Sequence, residues 1–162
     1  MILKFNNHQR GGFSLLEMTI VVIIITILAS AAIPQLVNGY LVQAANKTAL
    51  DISSIEDASR AYFIKYSAWP VSITPVANQS KPLDLESNGF LPQNWNAINP
   101  FGNSSSTPST FSYSIAQAGS YLTVSTYVPN SIAQNIIQNL LPGTTPPSSG
   151  IVSSSIPPPG AS

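Results

Sequence analysis

One acid stands inside a long oily run. From Phe13 to Ile33 the chain has 21 residues, and Glu17 carries their only charge. A stretch of about 20 apolar residues is long enough to cross a bilayer as a helix. A carboxylate there costs about 2.5–3.5 kcal/mol at mid-membrane, and less towards the helix end, so it calls for a partner. Directly before the run lies Gly11-Gly12, whose lack of side chains leaves the peptide bond accessible and hard to lock into a helix. Elsewhere the residue types offer little reactive chemistry. The single histidine, His8, precedes the apolar run, and there is no cysteine for a nucleophile or a zinc site. Serines are plentiful, but no histidine after the run can activate them. Asp84 and Glu86 share a segment, yet two acids fall short of the six to eight oxygens that calcium takes; they read as solvated loop acids. Trp69 and Trp95 could form a surface for a sugar, although aromatics in so small a domain more often fill a core. No glycine-rich phosphate loop is present. The chemistry on offer is one buried acid and one accessible bond. Neither makes an enzyme, and no metal or cofactor is expected.

The pattern Gly12, Phe13, Glu17, Met18 and Pro34, read along GGFSLLEMTIVVIIITILASAAIP, resembles the type IV prepilin N-terminus, which pilins share with the pseudopilins of type II secretion. The resemblance implies that a membrane-embedded prepilin peptidase cuts between Gly12 and Phe13, and that Phe13 is then N-methylated. Glu17 becomes the fifth residue of the mature chain, and Pro34 the twenty-second, a position where many members of the family also have proline. It further implies partners: other pilins in a homo- or hetero-oligomer, an assembly ATPase and an inner-membrane platform. Many pilins close a distal loop with a disulfide, which this cysteine-free chain cannot do.

The cut has a physical consequence. It replaces an amide with a charged amine on Phe13, about one helical turn from Glu17. In a bundle, the amine of an incoming subunit can pair with the Glu17 of its neighbour. Removing one member of a buried pair costs about 3–5 kcal/mol, so the pair would set the axial register as subunits are added.

Composition sets outer limits. Only 12 residues of 162 are Lys, Arg, Asp or Glu. The leader, residues 1–12, carries Lys4 and Arg10 and no acid, an asymmetry that holds it on the cytoplasmic side. Beyond it, Lys47, Arg60, Lys65 and Lys81 face six acids, a balance that argues against nucleic-acid binding. A rival reading of the N-terminus is an ordinary secretory signal peptide cut near Ala29-Ser30-Ala31-Ala32, as a secreted adhesin would have. Another is a plain membrane anchor for a small binding module. Glu17 inside the apolar core, Pro34 next to the would-be cut and a helical pattern that continues past Pro34 weigh against the signal peptide. Gly11-Gly12-Phe13 weighs against the plain anchor.

The elements that must hold these residues follow from periodicity. Residues 13–34 read as a transmembrane and assembly helix, and residues 35–66 as the amphipathic half of the same helix. Val37, Leu41, Ala45, Ala49, Ile52, Ile55, Ala58, Tyr62 and Tyr66 recur every three or four positions. Lys47–Asp51 and Glu56–Arg60, opposite charges four apart, read as support for the exposed side. Pro34 removes a backbone hydrogen bond and should bend the helix, with Gly39 adding looseness. Phe13 to Tyr66 would span ~80 Å at 1.5 Å per residue.

Trp69-Pro70 ends the helix. Residues 67–141 read as a globular head: an irregular proline-rich part with turns at Gly89-Phe90-Leu91-Pro92 and Asn99-Pro100-Phe101-Gly102, then two strands. The first carries Phe111, Tyr113 and Ile115 on one face, and the second runs from Tyr121 to Val128, with Ala116–Ser120 between them. Asn130 or Ser131 should cap a helix over Ile132–Leu141. Six prolines, six serines and three glycines in residues 142–162 read as a disordered tail. Some minor pilins of conjugative type IV pili carry exchangeable adhesive segments after such a junction.

The expectation is therefore an α+β, pilin-like fold: a long N-terminal helix, membrane-spanning in its first half, on a small antiparallel sheet. Its function would be that of a structural filament subunit, a type IV pilin or a type II secretion pseudopilin. Such a chain sits in the inner membrane before assembly, then in a surface pilus or a periplasmic pseudopilus.

Overall fold

The computed structural model describes residues 14–74, 84–102, 111–141 and 143–160. The elements in chain order are helix α1 (Leu15–Tyr66), strands β1 (Ser114–Ala118) and β2 (Tyr121–Tyr127), helix α2 (Ser131–Leu140), and strands β3 (Thr144–Ser148) and β4 (Ile151–Ile156). The chain divides into two units, Met1–Gly39 and Tyr40–Ser162. The fold is α+β and pilin-like.

In the first unit the described residues are the start of α1. Nearly every side chain from Ser14 to Gly39 is exposed; only Ala29 is partly covered. This part of α1 is long and apolar enough to cross a membrane. Ile and Val are indifferent helix formers in water. In hydrocarbon the helix satisfies every backbone group within the segment, so it is the form such a run must take.

In the second unit, α1 from Tyr40 onward lies against a four-stranded antiparallel sheet of order β1-β2-β4-β3. Its stripe Ala45, Ala49, Ile52, Ile55, Ala58 and Tyr62 is buried as the spacing predicts. Ala45 and Ala49 let the backbone approach closely, while Ile52 and Ile55 fill the centre with Val124, Val128, Ile137 and Val152. The two ends of the predicted stripe, Val37 and Tyr66, are exposed. The β1–β2 hairpin forms with Ile115 opposite Val124 and Ala118 opposite Tyr121, which leaves Gly119-Ser120 as its two-residue turn. Asn130 caps α2, its Oδ1 accepting from the backbone N–H of Ile132 and Ala133. Both tryptophans serve the core. Trp69 is buried and its Nε1 donates to the Ser120 carbonyl at 2.9 Å. Trp95 packs partly buried beside Tyr113.

The C-terminal segment differs from the disordered tail that its composition suggests. β4 is an interior strand, paired with β2 from Leu122↔Ile156 to Tyr127↔Ile151 and with β3 on its other side. Val152, Ser154 and Ile156 point inward and are buried. Ile156 closes a second cluster with Trp69 and Leu122. β3 takes the edge, where Pro146-Pro147 cost no ladder bond that an interior strand would need. The β3–β4 turn holds Ser149 and Gly150 at φ 54° and 83°, the pair of positive values that a tight two-residue hairpin requires. Gly150 is doubly constrained, because a Cβ there would sit 2.5 Å from the Tyr127 ring. Composition treats the segment alone, whereas β2 supplies its hydrogen bonds and α1 its apolar floor.

Candidate functional site

The N-terminal stretch of α1 is the candidate assembly segment. Among the described residues, helical bonding is under way once Met18 N–H reaches the Ser14 carbonyl at 3.1 Å. Glu17 falls in the first turn of α1. A negative side chain there is favoured by the unpaired N–H groups and the positive end of the helix dipole. Gly12 and Phe13, the expected cleavage and methylation positions, lie outside the described residues.

Past Glu17 the surface is uniformly neutral. Ile24, Ile25, Ile27, Leu28, Ile33 and Leu36 are each about half exposed or more. The interspersed hydroxyls turn back onto the helix. Thr19, Thr26 and Ser30 donate to the carbonyls of Leu16, Val22 and Ile27 at 2.8, 2.7 and 2.8 Å. Between Met18 and Ile33 a lipid or protein neighbour therefore meets apolar side chains and hydroxyls already bonded to the helix, as a low-dielectric surrounding demands. Pro34 lies inside α1, which is helical through both Pro34 and Gly39. A Cβ at Gly39 would meet nothing within 4 Å, so no packing contact within the chain demands glycine there.

The charged residues of the head hold structure. Asp51 is buried, contrary to the exposed role expected of the Lys47–Asp51 pair. Its Oδ1 accepts from Lys47 at 2.7 Å and its Oδ2 from the Tyr113 hydroxyl at 3.0 Å. Burial, followed by the Asp51 charge, pushes the Tyr113 hydroxyl far above its ordinary pKa. It stays a neutral donor that locks α1 to the strand region. The Glu56–Arg60 pairing is also replaced. Arg60 lies 3.9 Å from Asp57, while Glu56 turns towards β4, bonding the Ser154 hydroxyl. Its Oε1 is buried without a hydrogen-bond partner. Burial raises the Glu56 pKa above its ordinary value; the Ser154 bond and Arg60 pull it partly back, and Asp57 adds to the rise.

Asp84 is not a solvated loop acid, whereas Glu86 stays partly exposed. Asp84 is buried and caps its own turn, with Oδ1 accepting from Ser87 N–H at 2.6 Å. Glu86 Oε1 accepts from Asn94 N–H at 2.5 Å. Both carboxylates brace the loop that follows the long helix. Asn99, part of an expected turn, has a larger role than its motif suggested. Its Nδ2 donates to Thr126 Oγ1 and to the Tyr127 carbonyl, both at 2.7 Å, and its Oδ1 accepts from Phe101 N–H at 3.0 Å. It ties the irregular half of the head to β2. Asn99 at the head of Asn99-Pro100-Phe101-Gly102 offered a turn signal but nothing to mark the cross-link.

One family model matches the chain. Its description is the prokaryotic N-terminal methylation motif, and it covers residues 7–33. Comparison with curated proteins and with solved structures returned no match. The motif implies processing by prepilin peptidase and assembly with other pilins through membrane machinery. Together with the long apolar helix, it fits a precursor anchored in the inner membrane. The neutral helix surface, the acid in its first turn and the matched motif converge on one conclusion: residues 7–33 are a prepilin-type signature.

Proposed function

We propose that this chain is a non-enzymatic structural subunit, a major or minor pilin, of a type IV pilus-like filament. The leader is removed after Gly12 and Phe13 becomes the methylated N-terminus. The helix from Phe13 to Pro34 holds the subunit in the inner membrane and then in the filament core. Glu17 pairs there with the N-terminal amine of an adjoining copy. The head, residues 40–160, faces outward. The observation that carries this reading is the methylation motif at residues 7–33, supported by the neutral, uncovered helix surface that follows it. A pseudopilin of type II secretion would begin with the same motif. Surface filaments, as against short periplasmic assemblies, separate the two.

The test is N-terminal sequencing and intact mass of protein sheared from cells. Export as a chain starting at Phe13 with one added methyl group is the expected result. A start near Ile33 would mean a signal peptide, and an intact Met1 an unprocessed anchor. Glu17→Ala adds a second arm: the variant should insert and be cut, yet leave few filaments. An isolated buried partner costs about 3–5 kcal/mol, enough to cut incorporation more than a hundredfold.

A further inference from the structure

No lysine, arginine, aspartate or glutamate follows Glu86 in the sequence, so every strand of the sheet is uncharged. In β2 the residues Leu122, Val124 and Thr126 are buried, which turns Tyr121, Thr123, Ser125 and Tyr127 to the opposite face of the sheet. On that face Tyr121 is 52% exposed, and the other three are partly exposed. The strand register widens the pattern. Ser114 stands opposite Ser125 and Ser125 opposite Ser153; Thr123 stands between Ala116 and Ser155. Two rows of small side chains, mostly hydroxyls, therefore cross β1, β2 and β4. The Oγ atoms of Ser114 and Ser125 lie 2.9 Å apart, as do Thr123 Oγ1 and Ser155 Oγ. Hydroxyls joined in this way keep acceptor capacity on both oxygens. A tyrosine stands at each end of the stretch. Tyr127 is held firmly: Phe111 meets its ring at a steep angle with 5.5 Å between centroids, and the ring lies over Gly150, where a Cβ would come within 2.5 Å of it. Six residues separate the tyrosines, a distance of ~20 Å along a strand.

We infer that this face of the sheet binds an uncharged polysaccharide, laid along β2 from Tyr121 to Tyr127. The site goes beyond the filament reading and does not depend on it. Three features choose the occupant. The first is charge. The carboxylates or sulfates of an acidic glycan, or the ions of a protein surface, would lose water against a face that offers no counter-charge. The second is the order of polar and apolar groups. A protein partner needs an apolar, water-free centre, whereas here hydroxyls fill the centre and rings mark the ends. A sugar chain has the complementary order, with hydroxyls along its edges and C–H groups on the faces of its rings. Its edges exchange hydrogen bonds with Thr123, Ser125 and their cross-strand neighbours. Its C–H groups pack on the tyrosines, whose negative ring faces attract them. Tyrosine gives such contact area at little cost in side-chain entropy. The third feature is length. A strip of ~20 Å takes several sugar units, and a chain that meets both rings gains from their linkage what a single sugar cannot. Trp69 and Trp95, which the composition offered for this role, are spent on the core.

The test uses the full chain, purified in a detergent without a sugar headgroup. It is mixed with particles of cellulose, of chitin and of cross-linked polygalacturonate, the first two neutral and the third anionic. At least one neutral polymer should retain the protein tenfold or more above polygalacturonate, and a soluble oligosaccharide of the same sugar should release it. Tyr121→Ala and Ser125→Lys should each lower retention at least tenfold. Ile132→Ala, at an exposed position on α2, should leave it unchanged. All three variants should melt as the parent does by circular dichroism, because none of the altered side chains is buried. If one variant melts early, the other and the release by oligosaccharide still decide. Retention on neither neutral polymer, a preference for polygalacturonate, retention that the oligosaccharide does not release, or retention that survives both Tyr121→Ala and Ser125→Lys would overturn the inference. None of these outcomes bears on whether the exported chain starts at Phe13, so the filament reading stands or falls separately.

Discussion

Glu56 and Tyr113 show how a chain with few charges uses them. Each sits at the contact between α1 and the sheet, and burial pushes the pKa of each above its ordinary value. For Glu56 the folded head binds the proton more tightly than the unfolded chain does. Its contribution to stability is therefore fully present below 4.5, the ordinary value. It is lost as pH rises through the raised value of the folded state. Above that range the head carries a partly buried charge with one oxygen unpartnered. Glu56→Gln should raise the melting temperature at neutral pH and flatten the melting temperature between pH 4 and 7 relative to the parent protein, measured by circular dichroism. A parallel pH profile in the two proteins would refute this account. Tyr113→Phe acts the other way. It leaves Asp51 Oδ2 buried without its donor, a loss of about 1–3 kcal/mol, visible as a melting point lower by several degrees. The residue scale also shows where reading by pattern fails. Lys47–Asp51 and Glu56–Arg60 have the same spacing, but Asp51 and Glu56 lie on the inner flank of α1. Spacing along a helix gives neighbours; it does not say which flank the sheet will cover.

Among the elements, β4 carries the clearest lesson. The run Ile151-Val152-Ser153-Ser154-Ser155-Ile156 alternates with period two, yet its inward positions are Val, Ser and Ile. Ser154 is small enough to lie beneath Glu56, and Ser155 pairs across the strands with Thr123 at 2.9 Å. Serine on both faces hides the alternation, and the flanking prolines make the composition resemble that of a linker. Removal of residues 144–162 should therefore abolish cooperative unfolding of the head, since β2 would lose its central neighbour and Trp69 its apolar partner Ile156. A flexible extension could be removed with no change in the melt, so the same measurement decides between the two. The β1–β2 hairpin and α2, by contrast, were legible from Gly119, the alternation in β2 and the Asn130 cap. Each is a local device whose partners lie within a few residues.

For the whole molecule, the division at Gly39 separates two kinds of surface. The first unit exposes an apolar helix surface with no charge after Glu17 until Lys47. The second buries a conventional core around Ile52, Ile55, Leu85 and Val124. A fragment of residues 40–162 should be soluble without detergent, monomeric in analytical ultracentrifugation, and cooperative in its thermal unfolding. The full chain should require detergent or membrane. If the fragment aggregates or melts without a transition, residues 1–39 are part of the fold of the head, and the division is wrong.

The sequence alone determined the N-terminal signature, the long helix with its change of character along its length, the buried stripe from Ala45 to Tyr62 and the hairpin. All of these rest on residue order over a few turns or strands: a run of hydrocarbon, a period of 3.6 or 2, a cap. Only the tertiary structure decided that residues 144–156 complete the sheet, that Asp51 and Asp84 are buried, that Asn99 joins the two halves of the head and that Leu50 and Leu140 flank a common groove. Those facts depend on which distant surfaces meet, and a serine or an aspartate carries no local mark of whether its partner will be water or a strand.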